Sequence, residues 1–176
     1  MFEYERRTHS DISFHEDEVK LAKTMMDKLR TTVEFLYYLM DHRGKMSFTM
    51  IMISADDLKL EHLLQKWKRK TDVLIEIDNI NNVYVIICQA TDKEGGQKFA
   101  EILMSNISMH GGTVTYCVEA ELTSTKHSIQ EVIFNMVEKY IYIKQEKKSN
   151  QVFFTKFQEK VKKENEFRDV MYHNSF

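Results

Sequence analysis

The sequence predicts an α+β fold of ferredoxin-like order, β-α-β-β-α-β, with a long helix added at each end. Three observations predict it. Residues 72–92, DVLIEIDNINNVYVIICQATD, read as two strands folded back on each other. The runs SFTMIMI (47–53) and TVTYCVEAEL (113–122) supply two more strands, and a stretch of helical apolar spacing separates each of them from the hairpin. The 176 residues contain no proline, so no helix is interrupted by one.

Residues 1–13 are polar and are expected to fray. A helix follows from about His15 to Asp41, with Glu16, Asp17 and Glu18 at its start, where carboxylates suit the helix dipole. Val19, Ala22, Met26, Leu29, Val33, Leu36 and Met40 recur at alternating steps of three and four. That heptad spacing has two readings: a helix packed on its own domain, or the seam of a homodimer. Gly44 is a natural stop. After the strand over 47–53, Ser54 and Asp57 form a capping box for a helix through Leu58, Leu63, Leu64 and Trp67 to about Lys70.

In the hairpin, Val73, Ile75 and Ile77 share one face and Leu74, Glu76 and Asp78 the other. In its second strand Val83, Val85 and Ile87 oppose Tyr84, Ile86 and Cys88. The tip falls within Asp78–Asn82, where Asp and Asn tolerate a tight reversal. Thr91 with Glu94 caps the next helix, Glu94–Met109, which turns Phe99, Ile102, Leu103 and Ile107 inward. His110-Gly111-Gly112 is a turn. A helix from about Lys126 to Lys147 buries Ile129, Val132, Ile133, Met136, Tyr140 and Ile143. Val152 and Phe153 suit a short edge strand, and Thr155 to about Tyr172 a charged helix with Phe157, Val161, Phe167 and Val170 as its apolar side. A hairpin between two βα crossovers gives a mixed, mainly antiparallel sheet with the hairpin at its centre and helices on one face. The expected division is a helical extension over 1–46, a globular domain over 47–154 and a charged helix over 155–176.

Hydrophobic content of 43% with 30% charged residues is that of a soluble protein, and a net charge of −2 leaves no electrostatic footprint for nucleic acid. No apolar run reaches membrane-spanning length, and MFEYERRTHSD is too polar for a signal peptide. Cys88 and Cys117 lie in strands without a telling histidine, so buried, reduced thiols of a cytoplasmic protein are expected. His9, Asp11, His15, Glu16 and Glu18 make no closed ligand set, and for Asp56 and Asp57 a structural reading, with a helix cap accounting for Asp57, is preferred over weak Mg²⁺ affinity. Gly95-Gly96 lacks the Lys-Ser/Thr of a phosphate loop. Lysines 144, 147, 148, 156, 160, 162 and 163 are interspersed with Glu and form a solvated face. The residues thus point to no catalytic group, no metal and no cofactor.

From about Ser47 to Phe153 the chain resembles a shortened, degenerate GGDEF (diguanylate cyclase) domain. TDKEGGQKFAEIL (91–103) resembles the "TD-x-E-G/A" opening of the helix after the GGDEF hairpin. VTYCVEAEL (114–122) resembles the strand "VTVSIGVAEL", with Val118 in place of its glycine. VEKYIYIKQEKKSNQVFF (137–154) resembles the closing "AD-x-ALY-x-AK-x-x-GRN-x-V", matching at Tyr142, Asn150 and Val152. The resemblance implies a nucleotidyl-cyclase type of ferredoxin-like core.

The residues that would do the chemistry depart from the pattern. Whether the signature loop is read as residues 80–84 or 78–82, no glycine pair and no acidic pair stand there. The match to "LDIDHFK" is residues 53–59, which puts Ser54 where a metal-binding Asp belongs. One short helix stands where the family has two, carrying its guanine- and phosphate-gripping segments. Two-metal phosphoryl transfer needs bridging carboxylates and a triphosphate cradle. The resemblance therefore implies a scaffold without cyclase activity. Arg69-Lys70-Thr71-Asp72 matches the R-x-x-D of the family's inhibitory site, where Arg and Asp hold the cyclic dinucleotide. Ordinary capping at a helix end produces the same residues. The expectation is a non-catalytic signalling or interaction module, dimerising through the heptad residues or binding a protein partner. The alternative is a cyclic di-GMP receptor through Arg69 and Asp72, and an enzyme with an altered site ranks last.

Overall fold

The computed structural model of the chain describes residues 2–44, 46–155 and 157, with side chains described from residue 16 onward. The elements run α1 (Phe2–Arg43), β1 (Phe48–Ala55), α2 (Glu61–Trp67), β2 (Val73–Asp78), β3 (Val83–Gln89), α3 (Lys93–Met109), β4 (Thr115–Leu122), α4 (Ile129–Gln145) and β5 (Val152–Phe154). They build one mixed sheet of order β2-β3-β1-β4-β5, antiparallel except for the β4–β5 pair. The hairpin is therefore at one side of the sheet, and β1 takes the centre. All eight residues of β1 are buried, as a strand covered on both faces and paired on both edges requires.

The expected alternation holds. Val73, Ile75, Ile77, Val83, Val85 and Ile87 face one core, and Leu74, Tyr84, Ile86 and Cys88 the other. Leu64 of α2 and Ala100, Leu103 and Ile107 of α3 close the second core, which is the one-sided helix layer of a ferredoxin-like unit. Helices α1 and α4 close the first, so the sheet is covered on both faces rather than on one. Both cysteines are free and buried, and burial pushes the Cys88 thiol up to about 12. Among the described residues no helix is long and apolar enough to cross a membrane.

Helix α1 starts at Phe2, so residues 2–13, expected to fray, belong to it. Its inner stripe corrects the dimer seam. Leu29, Val33, Leu36 and Met40 are buried in this chain's own core, as is Met25, and cannot form an intermolecular seam. Ala22 and Met26 are half-buried against that core, and Val19 is 57% exposed. The inner residues are Glu18, Ala22, Met25, Leu29, Val33, Leu36 and Met40. Their steps of four, three, four, four, three and four follow the 3.6-residue period of a straight helix, which drifts off a 3.5-residue heptad. Further along its length, the Lys28 ammonium donates to the carbonyls of Glu76 (2.9 Å) and Ile77 (3.1 Å) on β2, the outermost strand on that side.

Several local expectations are corrected. Helix α2 begins at Glu61 without a side-chain cap, because Ser54 is inside β1 and Asp57 accepts hydrogen bonds from Thr113. Asp92, not Thr91, caps α3, its carboxylate accepting from Gly95 N at 2.8 Å. Ile102 points outward, since the buried face of α3 is Gly96, Ala100, Leu103 and Ile107. Ser128 caps α4. The helix expected over 155–172 lies outside the described residues, except that the Phe157 ring packs 5.0 Å from that of His127.

Gly96 is the point of closest approach between α3 and the sheet. A Cβ built there meets Glu119 Oε1 and, at 2.7 Å, Thr49 Cγ2. Gly95-Gly96 thus serves packing. Gly96→Ala is expected to destabilise by about 1–3 kcal/mol, the usual cost of overpacking a closed interface, read as a lower midpoint in urea.

Candidate functional site

Two regions carry the residues singled out by sequence. The first is the end of β1 together with the hairpin tip. The tip is the four-residue loop 79–82, since Asp78 pairs with Val83. Asp78 Oδ1 accepts from the amides of Ile80 and Asn81, and its Oδ2 accepts from Asn81 Nδ2 at 2.6 Å, so this carboxylate is occupied by its own turn. Asn82 adopts φ 60°, and its side chain ties the tip to the β1–α2 loop. It donates to the carbonyls of Ala55 (2.8 Å) and Leu58 (2.5 Å) and accepts from Leu60 N (3.0 Å). Asn82→Ala removes all three bonds and is expected to cost about 1–3 kcal/mol in denaturant unfolding. Ile80, at the apex, is 93% exposed.

Ser54 lies beneath this tip, buried, its hydroxyl oxygen accepting from Tyr140 OH at 2.8 Å. Burial pushes the Tyr140 phenol up to about 12, so it stays a neutral donor. Asp57 accepts from Thr113 N at 2.9 Å and from its hydroxyl, bonds that hold its carboxyl below the usual range. Asp56 is exposed. Among the described residues no group of three or more His, Cys, Asp or Glu side chains is placed to hold a metal ion. In this arrangement Ser54, Asp57 and Asp78 are each engaged by groups of the chain itself.

The second region is the cleft around Arg69. The structure brings Arg69 and Asp72 together as the spacing predicts. Arg69 N donates to Asp72 Oδ2 (2.9 Å), while Nε and Nη2 donate to Oδ1 (3.1 and 2.9 Å). Nη2 also reaches Thr91 Oγ1 at 2.7 Å. The Thr91 hydroxyl in turn donates to the Gln89 carbonyl at 2.9 Å. The guanidinium is thus fixed from two sides, with its side chain 51% exposed and that of Asp72 wholly buried. This corrects the role expected of Asp72. Its carboxylate is inside and engaged, so it positions Arg69 and does not itself face a ligand.

The cleft beside Arg69 has a volume of about 490 Å³ and is lined by Ser47, Thr91, Gly95, Lys98 and Phe99 among others. The Phe99 ring lies 6.0 Å from the guanidinium carbon. An exposed lysine, a fixed guanidinium and an aromatic ring together suit an anion that carries a flat base. Lys98 was not singled out in the sequence, and Phe99 was read there only as an inward core residue. The signal for their place in the cleft was their position nearly two turns into the helix that opens at Asp92, directly after the strand that ends beside Arg69.

No family model and no curated protein matches the chain. Solved structures do. The active GGEEF domain of a diguanylate cyclase from Vibrio cholerae is similar at TM-score 0.54 and 13% identity, over 69% of this chain and 90% of that one. The coiled coil and GGDEF domain of DgcB from Caulobacter crescentus, in complex with c-di-GMP, gives TM-score 0.60 at 9% identity, over 88% and 97%. Diguanylate cyclase SiaD from Pseudomonas aeruginosa, in complex with its activator SiaC, gives 0.51 at 10%, over 88% and 76%.

Proposed function

We propose that this chain, whose fold is that of GGDEF diguanylate cyclase domains, works as a non-catalytic signalling or interaction module. The observation that carries the reading is Ser54. Where the resemblance expects a metal-binding carboxylate at the end of β1, a buried hydroxyl is held by Tyr140. The acidic residues nearby support it, since Asp57 and Asp78 are occupied by Thr113 and by the hairpin turn. Incubating the full chain with GTP and Mg²⁺ and separating the products by chromatography tests it. Unchanged GTP is expected, and formation of a dinucleotide overturns the reading.

Partner binding and self-association rest on α1. With the inner stripe in the core, the exposed large apolar residues among the described side chains of α1 are Val19, Phe35 and Tyr38, and these are open to a second copy or another protein. The DgcB structure contains a coiled coil, and SiaD is bound to an activator protein. Light scattering of the full chain and of Val19→Glu is the test: a dimer weakened by the charge is expected, and a monomer at every concentration removes self-association.

A second reading is favoured by the Arg69 cleft: a receptor for cyclic di-GMP, the ligand in the DgcB structure. Its phosphates would meet Arg69 and Lys98, and its bases the Phe99 ring. Arg69→Ala removes a charge-assisted contact of about 1.5–3 kcal/mol, so calorimetry is expected to show affinity falling by about 10- to 100-fold. No heat with the wild-type protein at high ligand concentration rejects this reading.

A further inference from the structure

Glu119 sits in the middle of β4, on the face covered by α3, and plays no part in the reading above. It is fully buried, and neither carboxylate oxygen has a hydrogen-bond partner. Gly96 of α3 presses on the carboxyl group, and the Thr49 methyl group on β1 crowds the same point. The Thr49 hydroxyl is turned away, donating to the Thr91 carbonyl at 2.8 Å.

The charged and titratable groups facing Glu119 come from three elements, and a fourth, β5, adds an aromatic ring. From β4 there is Glu121, which accepts from Lys93 N. Around the start of α3 there are Lys93 and Asp92, and from β3 the Cys88 thiol. Across the sheet edge, β5 contributes only the Phe154 ring, which holds the Lys93 ammonium 4.5 Å from its centroid. One cation thus faces two carboxylates of Glu119's own sign. Burial first, then Glu121, pushes the Glu119 carboxyl up to about 7.

A neutral carboxyl fits under Gly96 at modest cost, whereas a carboxylate without donors in a closed interface is strongly disfavoured until water reaches it. Water cannot enter through the sheet, because β4 is paired on both sides, by β1 and by β5. The remaining route is between α3 and the sheet. Two consecutive glycines in the first turns of α3 also make those turns the easiest part of the helix to unwind, glycine being a much poorer helix former than alanine.

We propose that Glu119 is a proton-operated latch: when protonated it lets the N-terminal turns of α3 seat on the sheet, and when ionised it lifts them. Those turns also form one wall of the Arg69 cleft, through Gly95, Lys98 and Phe99. The latch therefore regulates that cleft, a consequence that rests on the ligand reading above while the latch itself does not.

The test is amide hydrogen exchange on the full chain at pH 6 and pH 8, corrected for intrinsic rates. Residues 96–103 report on the latch, and residues 132–140 of α4 serve as the internal reference. A group at about 7 when seated and 4.5 when exposed makes opening of α3 about tenfold more frequent at the higher pH. That change is expected in the wild type, absent from α4, and lost in Glu119→Gln. Protection of α3 that is the same at both pH values, or that changes equally in Glu119→Gln, overturns the latch. Carbon-13 titration of the wild-type Glu119 carboxyl keeps the test independent of the variant: a midpoint near 7 is expected, and one in the ordinary carboxylate range overturns the proposal. Calorimetry with cyclic di-GMP separates the two claims. Tighter binding at pH 6 than at pH 8 supports control of the cleft and equal affinity overturns that control, while no heat at either pH sinks the ligand reading alone.

Discussion

Deleting residues 1–44 is expected to abolish cooperative folding rather than release a smaller stable domain. Helix α1 places Met25, Leu29, Val33, Leu36 and Met40 in the core that it shares with α4 and one face of the sheet. Burying five such side chains is worth about 1.5–3 kcal/mol each, together on the scale of the whole net stability of a domain, about 5–15 kcal/mol. The shortened chain should lack a sigmoidal urea transition and expose apolar surface to a hydrophobic dye. A sharp transition near that of the full chain would show instead that α1 is an appendage. Single substitutions sharpen the contrast: Leu29→Ala is expected to cost about 2–5 kcal/mol, whereas Val19→Ala, at an exposed position, should leave the midpoint nearly unchanged.

Wild-type stability is expected to fall as pH rises from about 4.5 to about 7 through Glu119 alone. In the folded chain this carboxyl is held at about 7, and on unfolding it returns to its ordinary value of 4.5. Between the two values the folded state binds the proton that the unfolded state has released, so raising the pH favours unfolding. The contribution is fully present below about pH 4.5, is lost progressively up to about pH 7, and amounts to about 3 kcal/mol in all. Urea midpoints of the wild type and of Glu119→Gln, measured across pH 4–9, should converge in acid and separate in alkali, with the variant the more stable above neutrality. Parallel profiles would refute the assignment.

The sheet was the most legible part of the sequence, because alternation over five or more residues leaves each side chain only one of two faces. Val73, Ile75 and Ile77, with Leu74 opposite them, followed that logic, whereas the register shifts between Glu76 and Asp78 and pairs Asp78 with Val83. The position of the hairpin within the sheet was not legible, since pairing order depends on contacts distant in sequence. The signal that β1 would be central was its unbroken apolar character, FTMIMI, against the mixed VLIEID of β2. Heptad counting misled at α1 because 3.5 and 3.6 differ by too little to separate over a few turns, and only the packed helix shows which one governs. Of the candidate site, Arg69 and Asp72 were found by spacing, but their unequal exposure was not, because a motif records neighbours and not depth. Asp57 was read as a cap when its partner, Thr113, lies far along the chain. Glu119 left a signal that went unused: an acid at an inward position, followed two residues on by Glu121, opposite a helix with Gly95-Gly96 in its first turn.

The bond from Lys28 to the outer strand has a bearing on how this molecule behaves in a crowd. A border strand invites strangers to polymerise onto it through its open carbonyls, and two of those on β2 already receive an ammonium. At the opposite border β5 offers only three residues, too short a template for stacking. Charge at one margin and brevity at the other are both features that disfavour edge-to-edge pairing between molecules.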